Sequence, residues 1–141
     1  MRADRLTSAF WALRVGLGGA AFLAGLDKFF NLLANWPAYL SPLAAATLPI
    51  SAATFMHIVG VIEMIVGAAI LAGVTQIGGY VAAAWLIGIA LNLVTTGKYF
   101  DIAVRDVEMA IAAFTLARLT EAGVAQARAT EPVSARHRAV A

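Results

Sequence analysis

The 141-residue chain contains no cysteine. Disulfides, thiolate metal sites and dithiol redox chemistry are therefore excluded within it. Charge is also scarce: 13% of residues are Asp, Glu, Lys or Arg, against about 25% in a soluble domain. The two histidines are His57 and His137, and the second falls in the tail, away from the other polar groups. That argues against a metal site. Carboxylates alone can hold a hard cation, but Lys28 and Arg105 compete for them here. There is no Gly-rich phosphate loop, no serine-nucleophile motif and no zinc helix motif. Gly16-Leu17-Gly18-Gly19 lies inside a helical pattern, not after a strand, so it is no dinucleotide fingerprint. The net charge of +2 is small and concentrated at the two ends of the chain. It speaks for orientation in a membrane and against nucleic acid as a partner.

What is present is apolar. Hydrophobic residues make up 62% of the chain, with a mean hydropathy of +0.84. A soluble protein of this size needs more polar surface, so the expected surroundings are a lipid bilayer. Four apolar segments stand out: residues 7–30, 52–71, 76–96 and 101–119. Each is near the roughly 20 residues a spanning helix needs. The fourth is the most polar, with Asp101, Arg105, Asp106 and Glu108 in its first two turns. The apolar run at 9–33 is longer than a signal-peptide core and lacks a clear small-x-small cleavage site, so it reads as a retained helix.

The links Gly73-Val74-Thr75-Gln76 and Gly97-Lys98-Tyr99-Phe100 are tight. They predict antiparallel neighbours on either side. Residues 31–51 form a longer loop with Pro37, Pro42 and Pro49. Ser41-Pro42 is a good helix start, so a short helix is expected over 43–47. Trp36 and Tyr39 suit the membrane interface. Arg2 and Arg5 precede the first span, and Arg118, Arg128, Arg136 and Arg138 lie at or beyond the end of the fourth. The positive-inside rule then puts both termini in the cytoplasm. The expected fold is an all-α, four-helix transmembrane bundle over residues 1–120, with a Pro-rich outer loop between helices 1 and 2. An Ala/Arg-rich cytoplasmic tail, 121–141, is expected to fray or stay flexible.

Between Lys28 and Lys98 lie sixty-nine residues with one formal charge, Glu63. An isolated carboxylate in a span is costly and is rarely left without a partner. At about 1.5 Å per residue, Glu63 falls near mid-membrane and Arg14 roughly 10 Å inside the cytoplasmic edge. The expected partner of Glu63 is therefore Arg14, whose guanidinium offers a carboxylate two parallel donors. That pair reads either as a structural lock on helix register or as a proton-handling carboxylate. Asp27, Lys28, His57, Asn92, Asp101, Arg105, Asp106 and Glu108 all fall in the outer half. They form either a solvated helix end or a polar pocket walled by Trp36, Tyr39 and Phe100. Phe29, Phe30 and Trp85 read as lipid-facing or packing residues.

Helical spacing places Arg14, Gly18, Ala21, Gly25 and Lys28 on one stripe. Gly60, Glu63 and Gly67 form a second, and Ala84, Gly88 and Asn92 a third. Small residues on such stripes let helices approach closely in lipid. Asp101, Arg105, Glu108 and Ala112 align on the last helix.

These residues also resemble a known family. Gly25-Leu26-Asp27-Lys28-Phe29 is similar to the "aG-x-x-K-[LF]" end of the first helix in DoxX-like membrane proteins. Arg14 and Gly18 fit the upstream "R-x-x-x-G". Gly60, Glu63, Gly67, Leu71 and Gly73 fit the second-helix pattern "G-x-x-E-x-x-x-G-x-x-x-L-x-G". The resemblance covers about residues 9–120, including the four-helix layout and the long first loop. It implies a small protein of the bacterial cytoplasmic (inner) membrane that serves as subunit or anchor of a redox complex. A soluble or membrane oxidoreductase is the implied partner. The chain carries no cofactor of its own, and quinone is the candidate one. The residues themselves leave two other readings open, a small-molecule transporter or permeability factor and a structural helper without ligand. Oligomeric state is not legible in the sequence.

Overall fold

The computed structural model describes residues 2–130, which form helices and connecting turns with no strand among them. Helix α1 is Arg2–Asp27, followed by a 3-10 turn at Trp36–Tyr39 and the short α2, Pro42–Thr47. Then come α3, Ala52–Ala72, α4, Thr75–Thr95, and α5, Phe100–Thr130. Among the described residues three helices are long and apolar enough to cross a membrane: α1 over Arg5–Asp27, α3 and α4. The protein is membrane-embedded on this ground.

The helix ends follow local chemistry. Ser41 Oγ accepts from Ala44 N at 3.1 Å and Ser51 Oγ from Thr54 N at 3.1 Å. Each satisfies a first-turn donor that the helix leaves open. Helix α3 stops at Gly73, whose φ of 107° is left-handed, a conformation glycine adopts without steric cost. The last helix runs past residue 119, where the apolar pattern ends, and continues to Thr130. The rest of the expected flexible tail, with Arg136, His137 and Arg138, lies outside the described residues.

The packing places small residues inside and large ones outside. Ala82, Ala90, Ala103, Ala110, Ala113 and Ala117 are buried, while Ile65, Ile77, Leu91, Val104, Ile111 and Phe114 are exposed. Water would penalise that distribution, but lipid does not, and small inward residues let backbones pack. Leu17, Ile70, Ala82, Ala113 and Leu116 form the central cluster, drawn from all four long helices.

The tightest pairs are α1 with α3 and α4 with α5. The α3–α4 hairpin is joined by the short Gly73 turn, yet its two helices touch much less. Glycines account for this. A Cβ on Gly25 would come within 2.5 Å of Gly60 O, and one on Gly60 equally near Gly25 O. A Cβ on Gly67 would meet Gly18 O at 2.6 Å. Two glycine crossings seven residues apart on each helix thus lock α1 and α3 antiparallel at backbone contact. On α4, Gly79 does the same against Ala113 O, where a Cβ would stand at 2.8 Å. The expected Ala84–Gly88–Asn92 seam does not form. Ala84 and Gly88 are exposed, and a Cβ on Gly88 would meet nothing within 4 Å. The buried face of α4 carries Gly78, Gly79 and Ala82 instead.

Where α4 begins, Glu121 of α5 accepts from Tyr80 Oη at 2.8 Å, Gln76 Nε2 at 3.0 Å and Arg118 at 2.6 Å. The Tyr80 hydroxyl, then the Gln76 amide and Arg118, hold the Glu121 carboxyl below its ordinary value of 4.5.

Gly25→Ala should lower resistance to SDS or thermal unfolding in detergent, by about 1–3 kcal/mol as overpacking does. Gly16→Ala, at a position where a Cβ meets nothing within 4 Å, should be neutral or slightly stabilising. For the Glu121 clasp, a depressed folded pKa means the contribution is complete above the unfolded value and lost as pH falls through the folded one. The melting midpoint of the wild type should therefore fall more steeply than that of Glu121→Gln as pH drops below about 4.5.

Candidate functional site: a buried lysine–glutamate centre

The glycine crossings set one register along α1 and α3. That register places Arg14 beside Leu71, at the far end of α3 from the long loop. Arg14 Nε donates to Ile70 O at 3.1 Å and Nη2 to Leu71 O at 2.6 Å. Its guanidinium lies 4.6 Å from the Trp11 ring centre. Arg14 therefore does not pair with Glu63, contrary to expectation. Leu71 is eight residues beyond Glu63, or about 12 Å along the helix. That is too far for a guanidinium already bonded to two terminal carbonyls. Its charge meets the negative end of the α3 dipole instead.

The partner of Glu63 is Lys28. Lys28 Nζ donates to Glu63 Oε2 at 2.5 Å, and the two side chains are 5% and 10% exposed. Nζ also approaches Ala24 O at 3.5 Å. From above, the Trp36 ring covers the ammonium at 3.8 Å from ring centre to Nζ. Trp36 is held in turn by its indole N–H, which donates to Asp27 Oδ2 at 2.8 Å. Asp27 also accepts from Leu32 N and Leu33 N, at 3.0 and 2.9 Å. On the other side, Trp85 Nε1 donates to Glu63 Oε1 across a long 3.5 Å. The long loop, α1, α3 and α4 therefore meet in one polar chain: Asp27, Trp36, Lys28, Glu63, Trp85.

The other expected site residues separate into groups. Asn92 clamps the loop: its Oδ1 accepts from Ser41 N at 3.0 Å and its Nδ2 donates to Tyr39 O at 2.7 Å. Tyr39 meets Tyr99 edge-on at 4.7 Å. Tyr99 has a φ of 58°, a left-handed conformation that costs a bulky residue about 1–2 kcal/mol. His57 stays outside the centre. It is exposed and stacks on Phe29 at 4.8 Å with 5° between the planes. Asp101, Arg105 and Glu108 are exposed on α5, whereas Asp106 turns inward and is 8% exposed. The expected single outer pocket is thus not formed by these eight residues together. Phe100 lies on an apolar groove between α4 and α5, with Ile87, Leu91, Val104 and Val107. Among the described residues no group of three or more His, Asp or Glu is placed to hold a metal.

Sequence reasoning missed Trp85 and the role of Trp36. Trp85 lies on an apolar helix with no polar neighbour in sequence, so nothing local showed that its N–H reaches Glu63. Lys28 was recognised as polar and outer, but that its stem lies against Gly60, within reach of Glu63, is visible only once the register is known.

Removing one partner should be costly because it strands a buried charge. Lys28→Met alone and Glu63→Gln alone are each expected to lower stability in detergent, Lys28→Met by about 3–5 kcal/mol. The double variant Lys28→Met/Glu63→Leu should recover much of that loss. Arg14→Gln combined with Glu63→Gln should be additive within about 0.5 kcal/mol; strong coupling in that cycle would restore the Arg14–Glu63 pairing.

The chain matches no protein-family profile, and neither a curated protein nor a solved structure was found to be similar to it.

Proposed function

We propose that the chain is a DoxX-like, four-helix protein of the bacterial inner membrane that serves as subunit or anchor of a membrane redox complex. In this reading α5 is the fourth span and both termini face the cytoplasm. The exposed Val104, Val107, Ile111 and Phe114 of α5 support the first point, because they continue the apolar exterior of the other helices. The arginines at the two ends of the chain support the second.

The observation that carries the anchor reading is that the ionic centre is consumed within the fold. Lys28 and Glu63 bond to each other and are roofed by Trp36. A partner in the complex would then supply the redox centre.

Quinone fits the described residues poorly. A quinone head needs hydrogen-bond donors to its carbonyls. The groove between α4 and α5 is lined by aliphatic side chains and Phe100, with Glu108 its one ionisable group. A second groove holds Ala83, Ala84, Ile87, Ala110, Ile111 and Phe114. Both suit an acyl chain or an apposed helix, and no step is assigned to quinone. The transporter reading would require polar residues lining a path, and the helper reading would require no stable partner.

Affinity purification of the full chain from its native membrane should bring down an oxidoreductase subunit in near-stoichiometric amount. Recovery of the chain alone would reject the anchor reading. The absence of cysteine makes topology directly testable. A cysteine at Thr47 should react with a membrane-impermeant maleimide on intact cells, and one at Gln126 only after lysis.

A further inference from the structure

Helix α5 carries charge on the outside of the bundle. Asp101, Arg105 and Glu108 are exposed, and Ala112 continues their line at helical spacing. The ion pairs among the described residues are Lys28–Glu63 and Arg118–Glu121, so Arg105 is bonded to neither acid of its own stripe. Asp106, the next residue, turns inward and leaves the stripe. Val104 and Ile111, both exposed, lie one turn to either side of Glu108. Glu108 thus stands on an otherwise apolar exterior, at the edge of the groove between α4 and α5.

With α5 as the fourth span, the reading on which this inference rests, depth decides what each charge meets. Asp101 is in the first turn and stays in water. Arg105 is about 7 Å along the helix, and its long stem can carry the guanidinium back to the surface. Glu108 is about 12 Å along and has no such reach. A carboxylate facing lipid at that depth is costly, and it calls for a cation at its own level. A second copy of the chain supplies one. All copies share one orientation in the membrane, so the same residues stand at the same depth. The Arg105 of a neighbouring copy is then three residues, or about 4.5 Å, from the level of Glu108, within the length of its side chain. A two-fold axis along the membrane normal makes that contact twice. Charge complementarity favours a copy over an unrelated helix, because one stripe presents the missing cation and the missing anion together. Ala112, one turn deeper, lets two such helices approach. We propose that this stripe of α5 is a homodimer interface, closed by two reciprocal Arg105–Glu108 ion pairs between copies.

The test is energy transfer between full-length copies carrying donor or acceptor dye at the C-terminus, diluted in phosphatidylcholine vesicles. The wild type should show transfer that saturates with protein-to-lipid ratio. Glu108→Arg alone and Arg105→Glu alone should each weaken association about tenfold or more, because like charges then face one another. Mixing the two variants should restore transfer, since each then offers the charge the other lacks. Pairing within one helix, or misfolding of either variant, gives no such rescue. A wild type that stays monomeric, single variants that associate as the wild type does, or a mixture without rescue would overturn the proposal. A cysteine introduced as Ala112→Cys separates this failure from that of the spanning reading. If a membrane-impermeant maleimide labels it in vesicles opened to both sides, α5 is not a span and both readings fall. If it stays unlabelled while energy transfer is absent, the homodimer alone is rejected.

Discussion

The register between α1 and α3 governs this structure. Gly18 and Gly25 face Gly67 and Gly60 so closely that a Cβ on Gly25, Gly60 or Gly67 would collide with backbone, and one on Gly18 with the Leu71 side chain. In lipid there is little hydrophobic gain in bringing apolar helices together, so close van der Waals packing and interhelical hydrogen bonds carry the association. Two crossings fix both the separation and the axial offset of the helices. A shift of one turn would replace glycine with Phe22, Phe29 or Met64 at the contact, and the backbones could not meet.

Once that offset is set, the polar groups have little choice. Lys28 extends down to Glu63 because a four-carbon stem spans the offset between them, while its stem packs against Gly60. Arg14 is left at the other end of α3, where it donates to the terminal carbonyls of Ile70 and Leu71. Each cation thus meets a different kind of negative group, one a carboxylate and one a helix terminus. The Pro-rich loop then closes over the first. Asp27 orients Trp36, Trp36 covers Lys28, and Asn92 ties the loop to α4. The loop is fastened to α1 and α4 by polar contacts and not merely draped over them.

The second tight pair, α4 with α5, is built on Gly79 and on the alanines of α5. Between the two pairs the contact is lighter, through Gly78 on Ile70 and the Leu17–Leu116 cluster. Chain connectivity does not decide which helices pack closest. The helices joined by the long loop are nearer than the two joined at Gly73, because matched glycines lie on the former.

The sequence by itself determined the helical class and the apolar segments able to span a bilayer, since these depend on runs of residues and local caps. Ser41-Pro42 and Gly73 marked real helix ends, because capping is a contact within four residues. The two glycine stripes on α1 and α3 were also legible, as periodicity along a single helix. What joined them was not. Whether Glu63 met Arg14 or Lys28 turned on an offset of a few residues between helices, and depth estimates made from each helix separately carry errors of that same size. The inward turn of Asp106 beside the outward Arg105 and Glu108, the reach of Trp85 to Glu63, and the exposure of Gly88 all follow from rotation of a helix about its own axis. Only tertiary packing decides that rotation, because on apolar helices such as α3 and α4 nearly every face is hydrophobic and none is chosen by composition.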